Sequence, residues 1–192
     1  MTNEVENVSQ SQRILNAAFN CIALKGYANV SLRDIADEAG VVLSQLNYYY
    51  KNKEGLFTEI IKVLSKKYLT EIEQELIKGN TAVEKLTNII NYFRKILAEQ
   101  PELFKVLYDI TGMALWSSTF ITLVKNLYIN LSDMIEKYIV RDYFGENNKK
   151  RYSLEALSKM ILGTLIGTAI QSVLNPEESM DESLNAIKII FE

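Results

Sequence analysis

The chain has 192 residues, 48% hydrophobic and 23% charged, with a formal net charge of −3. That length and balance suit one or two small globular domains with a sizeable core. It contains no histidine, which excludes His-based acid–base chemistry, Ser-His and Cys-His nucleophilic pairs and His-containing metal sites, so no enzyme, metal or other cofactor is expected.

Two prolines, eight glycines and no long alternating stretch predict an all-α protein of about nine helices. The start of the chain, Met1 to Glu6, is polar and acidic and shows no secretory signal. A first helix is predicted over about 9–24, closed by Gly26; Cys21 shares its face with Ile14, Ala18 and Ile22 and reads as a small core residue, redox sensing being the alternative. Leu32, Ile35, Ala36 and Ala39 then recur at i, i+3, i+4 and i+7, which predicts a short helix capped by Ser31 with Asp34 and ended at Gly40. A second short helix is predicted over about 43–49, with Val42 giving it no side-chain cap, so that it is expected to fray. Asn52 can cap a long helix over 53–78, ended by Gly79, and Thr81 with Glu84 forms a capping box opening a helix to about 99. Pro101 suits the first position of the next helix, for which Gly112 marks the expected end. A helix over about 117–144, a polar loop over 145–151, a Ser153-capped helix to about 174 and a last helix over about 180–191 complete the reading. The longest apolar run, Met160 to Leu174, has 15 residues and contains Gln171, short of the roughly 20 that span a bilayer. A cytoplasmic protein with no membrane partner is expected.

The two short helices across a glycine turn describe a helix-turn-helix, whose expected partner is double-stranded DNA. Leu43, Leu46 and Tyr50 can face a core, leaving Ser44, Gln45, Asn47, Tyr48 and Tyr49 outward. Gln45 and Asn47 can each pair bidentately with adenine, Ser44 allows close approach, and the two tyrosines can reach phosphate. Lys53, beside the N-terminal dipole of the long helix, and Ser31 with Arg33 at the preceding one, are further candidates. Charge supports this placement: residues 9–70 hold eight Lys/Arg against five Asp/Glu, while the rest of the chain carries the negative excess.

Arg13-Ile-Leu-Asn-Ala-Ala-Phe, Lys25-Gly-Tyr, Ser31-Leu-Arg-Asp-Ile-Ala, Ala39-Gly-Val, Leu46-Asn-Tyr-Tyr-Tyr and Lys53-Glu-Gly-Leu-Phe together resemble the N-terminal domain of TetR/AcrR-type transcriptional regulators. The match covers about residues 10–60, in order and at the family's spacing. It implies a DNA-binding domain over 9–52 and a helical effector-binding and dimerisation domain over 53–192. By position, Ser44, Gln45, Asn47, Tyr48, Tyr49 and Lys53 fall at usual DNA-contact places of the family. Asn47 stands where a tyrosine is usual and Tyr49 where histidine is common, so the operator cannot be inferred from relatives.

The second half is read more coarsely. Tyr92, Phe93, Phe104, Tyr108, Met113, Trp116, Phe120 and Met134 are candidate walls of a ligand cavity, with Asp109, Thr111, Asn126 and Gln171 as polar handles, although packing between helices is the simpler reading of any one of them. Leu154, Gly163, Gly167 and Ile170 on one helix and Leu184, Ile187 and Phe191 on the last are candidates for a four-helix homodimer interface. The resulting expectation is a homodimeric regulator, usually a repressor in the resembled family, released from operator DNA by a small hydrophobic effector. The alternative is a constitutive dimeric DNA-binding module without a ligand pocket.

Overall fold

The computed structural model describes residues 9–145 and 152–192; the acidic start and most of the polar loop predicted at 145–151 lie outside the described residues. Among the described residues every regular element is helical. The elements are α1 (Gln10–Lys25), α2 (Leu32–Ala39), α3 (Leu43–Tyr49), α4 (Lys53–Lys78), α5 (Ala82–Glu99), α6 (Pro101–Ala114), α7 (Ser118–Ile135), α8 (Arg141–Phe144), α9 (Leu154–Leu174) and α10 (Asp181–Ala186). A π turn, Glu136–Val140, joins α7 to α8 without a break, and a 3-10 turn, Ile187–Phe191, follows α10.

Helix starts are set by local donors and acceptors that would otherwise be orphaned. Asn52 Oδ1 accepts from the Gly55 N–H at 2.7 Å, opening α4. Thr81 Oγ1 accepts from the Glu84 N–H at 3.2 Å, and the Glu84 carboxylate accepts from the Asn80 N–H at 2.7 Å, opening α5. Ser153 Oγ takes the Ala156 N–H at 3.1 Å at the start of α9. One expected end differs: α6 runs through Gly112 to Ala114. Gly112 lies on an exposed face with open space around it, and the helix closes where the Trp116 N–H donates to the Met113 carbonyl at 3.0 Å.

The chain packs as two compact units that divide at Leu64–Ser65, inside α4, beyond the 52–53 boundary read from the sequence. The first buries Ile14, Ile22, Ile35, Leu46, Leu56 and Phe57, and Tyr27 lies edge-on to Phe57 with ring centroids 4.1 Å apart. The distal half of α4 puts Ile72 and Leu76 into a separate core with Leu86, Ile89, Ile90, Ile139, Val140, Ile161 and Leu165. α9 is apolar on most sides, and by length and composition alone is long enough to cross a membrane; Ile161, Leu162, Leu165 and Ala169 turn inward as part of the second core.

At the α4–α5 corner a Cβ on Gly79 would sit 2.7 Å from the Lys85 backbone nitrogen and 2.8 Å from its Cγ. Gly79→Ala is therefore expected to destabilise by about 1–3 kcal/mol, whereas Gly112→Ala, in open space within a helix, should be neutral or stabilising by up to about 1 kcal/mol. Urea unfolding of the two variants checks this contrast.

Candidate nucleic-acid interface and interior polar groups

The hinge between α2 and α3 is Gly40, held at φ 63 in the left-handed region that side chains avoid. Its N–H and that of Val41 close on the α2 carbonyls, and Arg13 Nη2 donates to the Ala39 carbonyl at 2.8 Å, tying α1 to the same turn. At the other end of α2, Ser31 and Asp34 make a reciprocal capping box, with Lys25 Nζ 3.2 Å from the Asp34 carboxylate. The Ser31 hydroxyl and N–H, then Lys25, hold the Asp34 carboxyl well below the usual carboxylate range. The box is thus intact at neutral pH and is lost only when acid protonates Asp34 in the folded chain.

On α3, Leu46 is fully buried and Tyr50 nearly so, its hydroxyl 2.8 Å from the Ser11 hydroxyl. The opposite side exposes Ser44, Gln45, Asn47, Tyr48 and Tyr49 together. Tyr48 is 85% exposed, which rules out a buried aromatic cluster for that ring. The expected fraying has a counterweight that the sequence did not reveal. Gln45 Oε1 accepts from the Val42 N–H at 3.2 Å, supplying the reciprocal half of a capping box where Val42 has no side-chain acceptor. Arg33 and Ser31 are exposed on α2. Lys53 is placed differently from the other candidates: its ammonium donates to the Tyr27 carbonyl and sits 4.1 Å above the Tyr27 ring, so it braces the first unit's own fold.

In the second unit Phe93 and Phe104 are buried against each other, centroids 5.9 Å apart, with Tyr92, Tyr108 and Met134 packed on the same core. Phe120 is buried, and Asp109 and Met113 are half-buried. Within this apolar packing several hydroxyls are paired. Tyr108 donates to the Ile166 carbonyl of α9, and Thr111 Oγ1 lies 3.2 Å from the Tyr128 hydroxyl. Ser132 and Ser158, both buried, meet at 3.0 Å. Burial pushes the Tyr108 hydroxyl above the ordinary tyrosine range, with the Tyr128 phenol beside it adding to the shift. Two open clefts flank the core. One, of about 550 Å3, lies between α4 and α5 and is lined by Lys67, Tyr68, Glu71, Glu75, Tyr92 and Lys95. The other, of about 620 Å3, lies between α5, α6 and the α9–α10 turn, and is lined by Arg94, Leu97, Lys105, Val173, Pro176 and Leu184 among others.

Residues 14–60 match the sequence model described as "Bacterial regulatory proteins, tetR family". Residues 14–60 are thus a DNA-binding segment of the TetR type. The chain has the all-α fold of the regulators it resembles, and its helix-turn-helix segment is of the DNA-binding, transcription-regulating kind. A fatty acid metabolism regulator protein of Bacillus subtilis is 26% identical over 171 residues, 86% of this chain and 84% of that relative. The HTH-type transcriptional regulator BetI of Agrobacterium fabrum is 32% identical over 78 residues, 41% of this chain and 38% of its own. The same fold appears in a Bacillus subtilis transcriptional regulator, FadR, solved in complex with stearoyl-CoA. That likeness has a TM-score of 0.78 at 21% identity and covers 93% of this chain and 96% of FadR.

Several residues expected to line an effector cavity or a dimer face are placed as follows. Trp116 is 92% exposed on the turn after α6 and lines neither the second core nor the two clefts just described, because the continuation of α6 past Gly112 carries it outward. Gln171 is also exposed, its amide donating to the Gly167 carbonyl at 3.2 Å. Leu184 and Ile187 are 1% and 5% exposed within their own chain, since their spacing turns both toward the second core; they have little surface left for a partner. Phe191 packs on Tyr143, centroids 4.5 Å apart. Gly163 is exposed, and Leu154, Gly167 and Ile170 are half-buried on α9. Of the paired hydroxyls the sequence points to Thr111 as a polar handle; its partner Tyr128, and the Ile166 carbonyl that Tyr108 meets, are brought in only by helix packing.

As the only tryptophan, Trp116 should emit like a fully hydrated indole and be quenched by acrylamide almost as freely. Trp116→Phe should change unfolding free energy by no more than about 0.5 kcal/mol. A blue-shifted, protected emission would contradict the placement.

Proposed function

We propose that the chain is a homodimeric repressor that reads operator DNA with α3 and is released by an amphipathic acyl effector of the coenzyme A thioester class. The observation that carries the DNA half is the surface of α3: five polar or aromatic side chains exposed together above a buried Leu46 and Tyr50. They lie in the part of the chain with a positive surplus. Gln45 and Asn47 are the base readers, Ser44 permits close approach, and Tyr48, Tyr49 and Arg33 hold phosphate. Ser31 offers phosphate only what its capping box leaves free, and Lys53 acts by bracing Tyr27.

The effector reading draws on the fatty acid regulator and the stearoyl-CoA complex among the relatives. It is supported by the second core, where Tyr92, Phe93, Phe104, Tyr108 and Met134 give apolar walls and Thr111 and Tyr128 give fixed hydroxyls for a polar group. α4 is the link, since a single helix contributes buried side chains to both units. For the dimer, α9 turns Met160, Gly163, Thr164 and Leu174 outward, and Gly163 and Gly167 have open space around them within one chain. A Cβ at Gly167 therefore meets nothing within 4 Å in its own subunit, so a loss of dimer with a larger side chain there points to the partner.

A duplex enriched from a random pool by the wild-type chain serves as operator. Gln45→Ala should weaken it by roughly 1–3 kcal/mol at specific base pairs, whereas Arg33→Ala should weaken all sequences about equally and lower the salt slope by about one. Stearoyl-CoA should lower operator affinity roughly 5- to 150-fold, with operator weakening stearoyl-CoA binding by the same factor. Gly167→Leu should cost the dimer about 1–3 kcal/mol by sedimentation. Operator binding unaffected by stearoyl-CoA or palmitoyl-CoA would leave a constitutive DNA-binding module.

A further inference from the structure

Residues on successive helical positions are about 100° apart, so Glu71 and Glu73 lie on opposite flanks of Ile72, which is buried in the second core. Both flanks are held. Tyr92 of α5 donates its hydroxyl to Glu71 Oε2 at 2.6 Å. Tyr138, in the π turn between α7 and α8, donates to Glu73 Oε1 at 2.7 Å and accepts from Lys137 Nζ at 2.9 Å. The α5 side has two further ties: the Tyr68 hydroxyl donates to Gln100 Oε1 at 3.1 Å, and Asn88 Nδ2 donates to the Glu75 carbonyl at 3.2 Å. On the other flank, the described bond is that of Tyr138.

We infer that Tyr92 and Tyr138 are positioning residues, two phenol–carboxylate pins that fix the rotation of the distal half of α4, and that operator affinity depends on that fixed rotation. Apolar contacts at Ile72 and Leu76 hold the helix against the core but are non-directional. A hydrogen bond to each flank adds the direction that apolar burial lacks. Burial, reinforced by Glu71, keeps the Tyr92 proton on the phenol, so the pin is a phenol donating to a carboxylate, the stronger kind of hydrogen bond. Because α4 also supplies Leu56, Phe57, Ile60 and Ile61 to the first unit, a rotation lost at residue 72 is carried along one continuous hydrogen-bonded helix. The inference deepens the proposed regulation and rests on α4 as the link.

The test uses the full chain with Tyr92→Phe, Tyr138→Phe and both, which remove hydroxyls and keep rings. The reference pair is Glu71→Gln with Glu73→Gln, which retains an acceptor for each phenol; the ion pairs it gives up, to Lys67 and Lys137, are long at 4.0 Å and exposed, so they contribute little. Spin labels at Gln74 and Asn91, both exposed, report the α4–α5 distance in a Cys21→Ala background. The double Phe variant should broaden the label distribution and weaken the selected duplex at least threefold, with Tyr138→Phe the larger single effect, while the Gln pair stays within twofold of wild type. An unchanged distribution, an unchanged duplex affinity, or a Gln pair as impaired as the Phe pair would each overturn the pins. A wild-type chain that enriches no duplex defeats the DNA reading instead, and the label distribution then decides alone whether the two phenols position α4.

Discussion

α4 is buried twice. Leu56, Phe57, Ile60 and Ile61 are locked into one core, Ile72 and Leu76 into another, and the helix is continuous between them. Each such side chain is worth about 1.5–3 kcal/mol against exposure, so neither end leaves its core cheaply. The rest of the molecule is arranged around that double anchorage. α1, α2 and α3 assemble on the first half, and α5, the π turn and α9 assemble the core that receives the second.

The same logic sorts what sequence could show from what it could not. Ser31 with Asp34, Gly40, Asn52 and Thr81 with Glu84 act on backbone groups within four residues, so spacing alone revealed them. The outward set on α3 followed from periodicity, since Leu46 and Tyr50 fix which side faces in. Long-range choices were illegible. Lys53 looks like a phosphate ligand until packing brings Tyr27 beneath it. Gly112 looks like a helix end, yet space on its exposed side lets the helix pass. Trp116, the most conspicuous apolar residue of the second half, is the one the turn carries outward. Leu184 and Ile187 have the pattern of an interface and the burial of a core. The tyrosine partners Glu71, Glu73 and the Ile166 carbonyl lie 21, 65 and 58 positions away, beyond the reach of any local rule.

On the proposed reading of α3, Gln45 serves stability and recognition in turn. In the free chain its carbonyl closes the start of α3 on Val42, so bidentate pairing with a base edge exchanges one hydrogen bond for two. A base that offers only one acceptable contact gains almost nothing over the cap already in place. Discrimination is thereby sharpened without an additional side chain.

The π turn at Glu136–Val140 has a consequence best put as chain length. A π turn holds one residue more than the regular helix it interrupts, so α7 and α8 share a common path while their side-chain phases differ by about 100°. Deleting one residue there would heal the backbone into uninterrupted α-helix, sparing every loop and both neighbouring helices. The later side chains would keep their azimuth, and only the turn itself, Tyr138 within it, would be remade. Single-residue length changes, ruinous elsewhere in a packed bundle, are at this one place a discrete means of retuning a fold that otherwise stays the same.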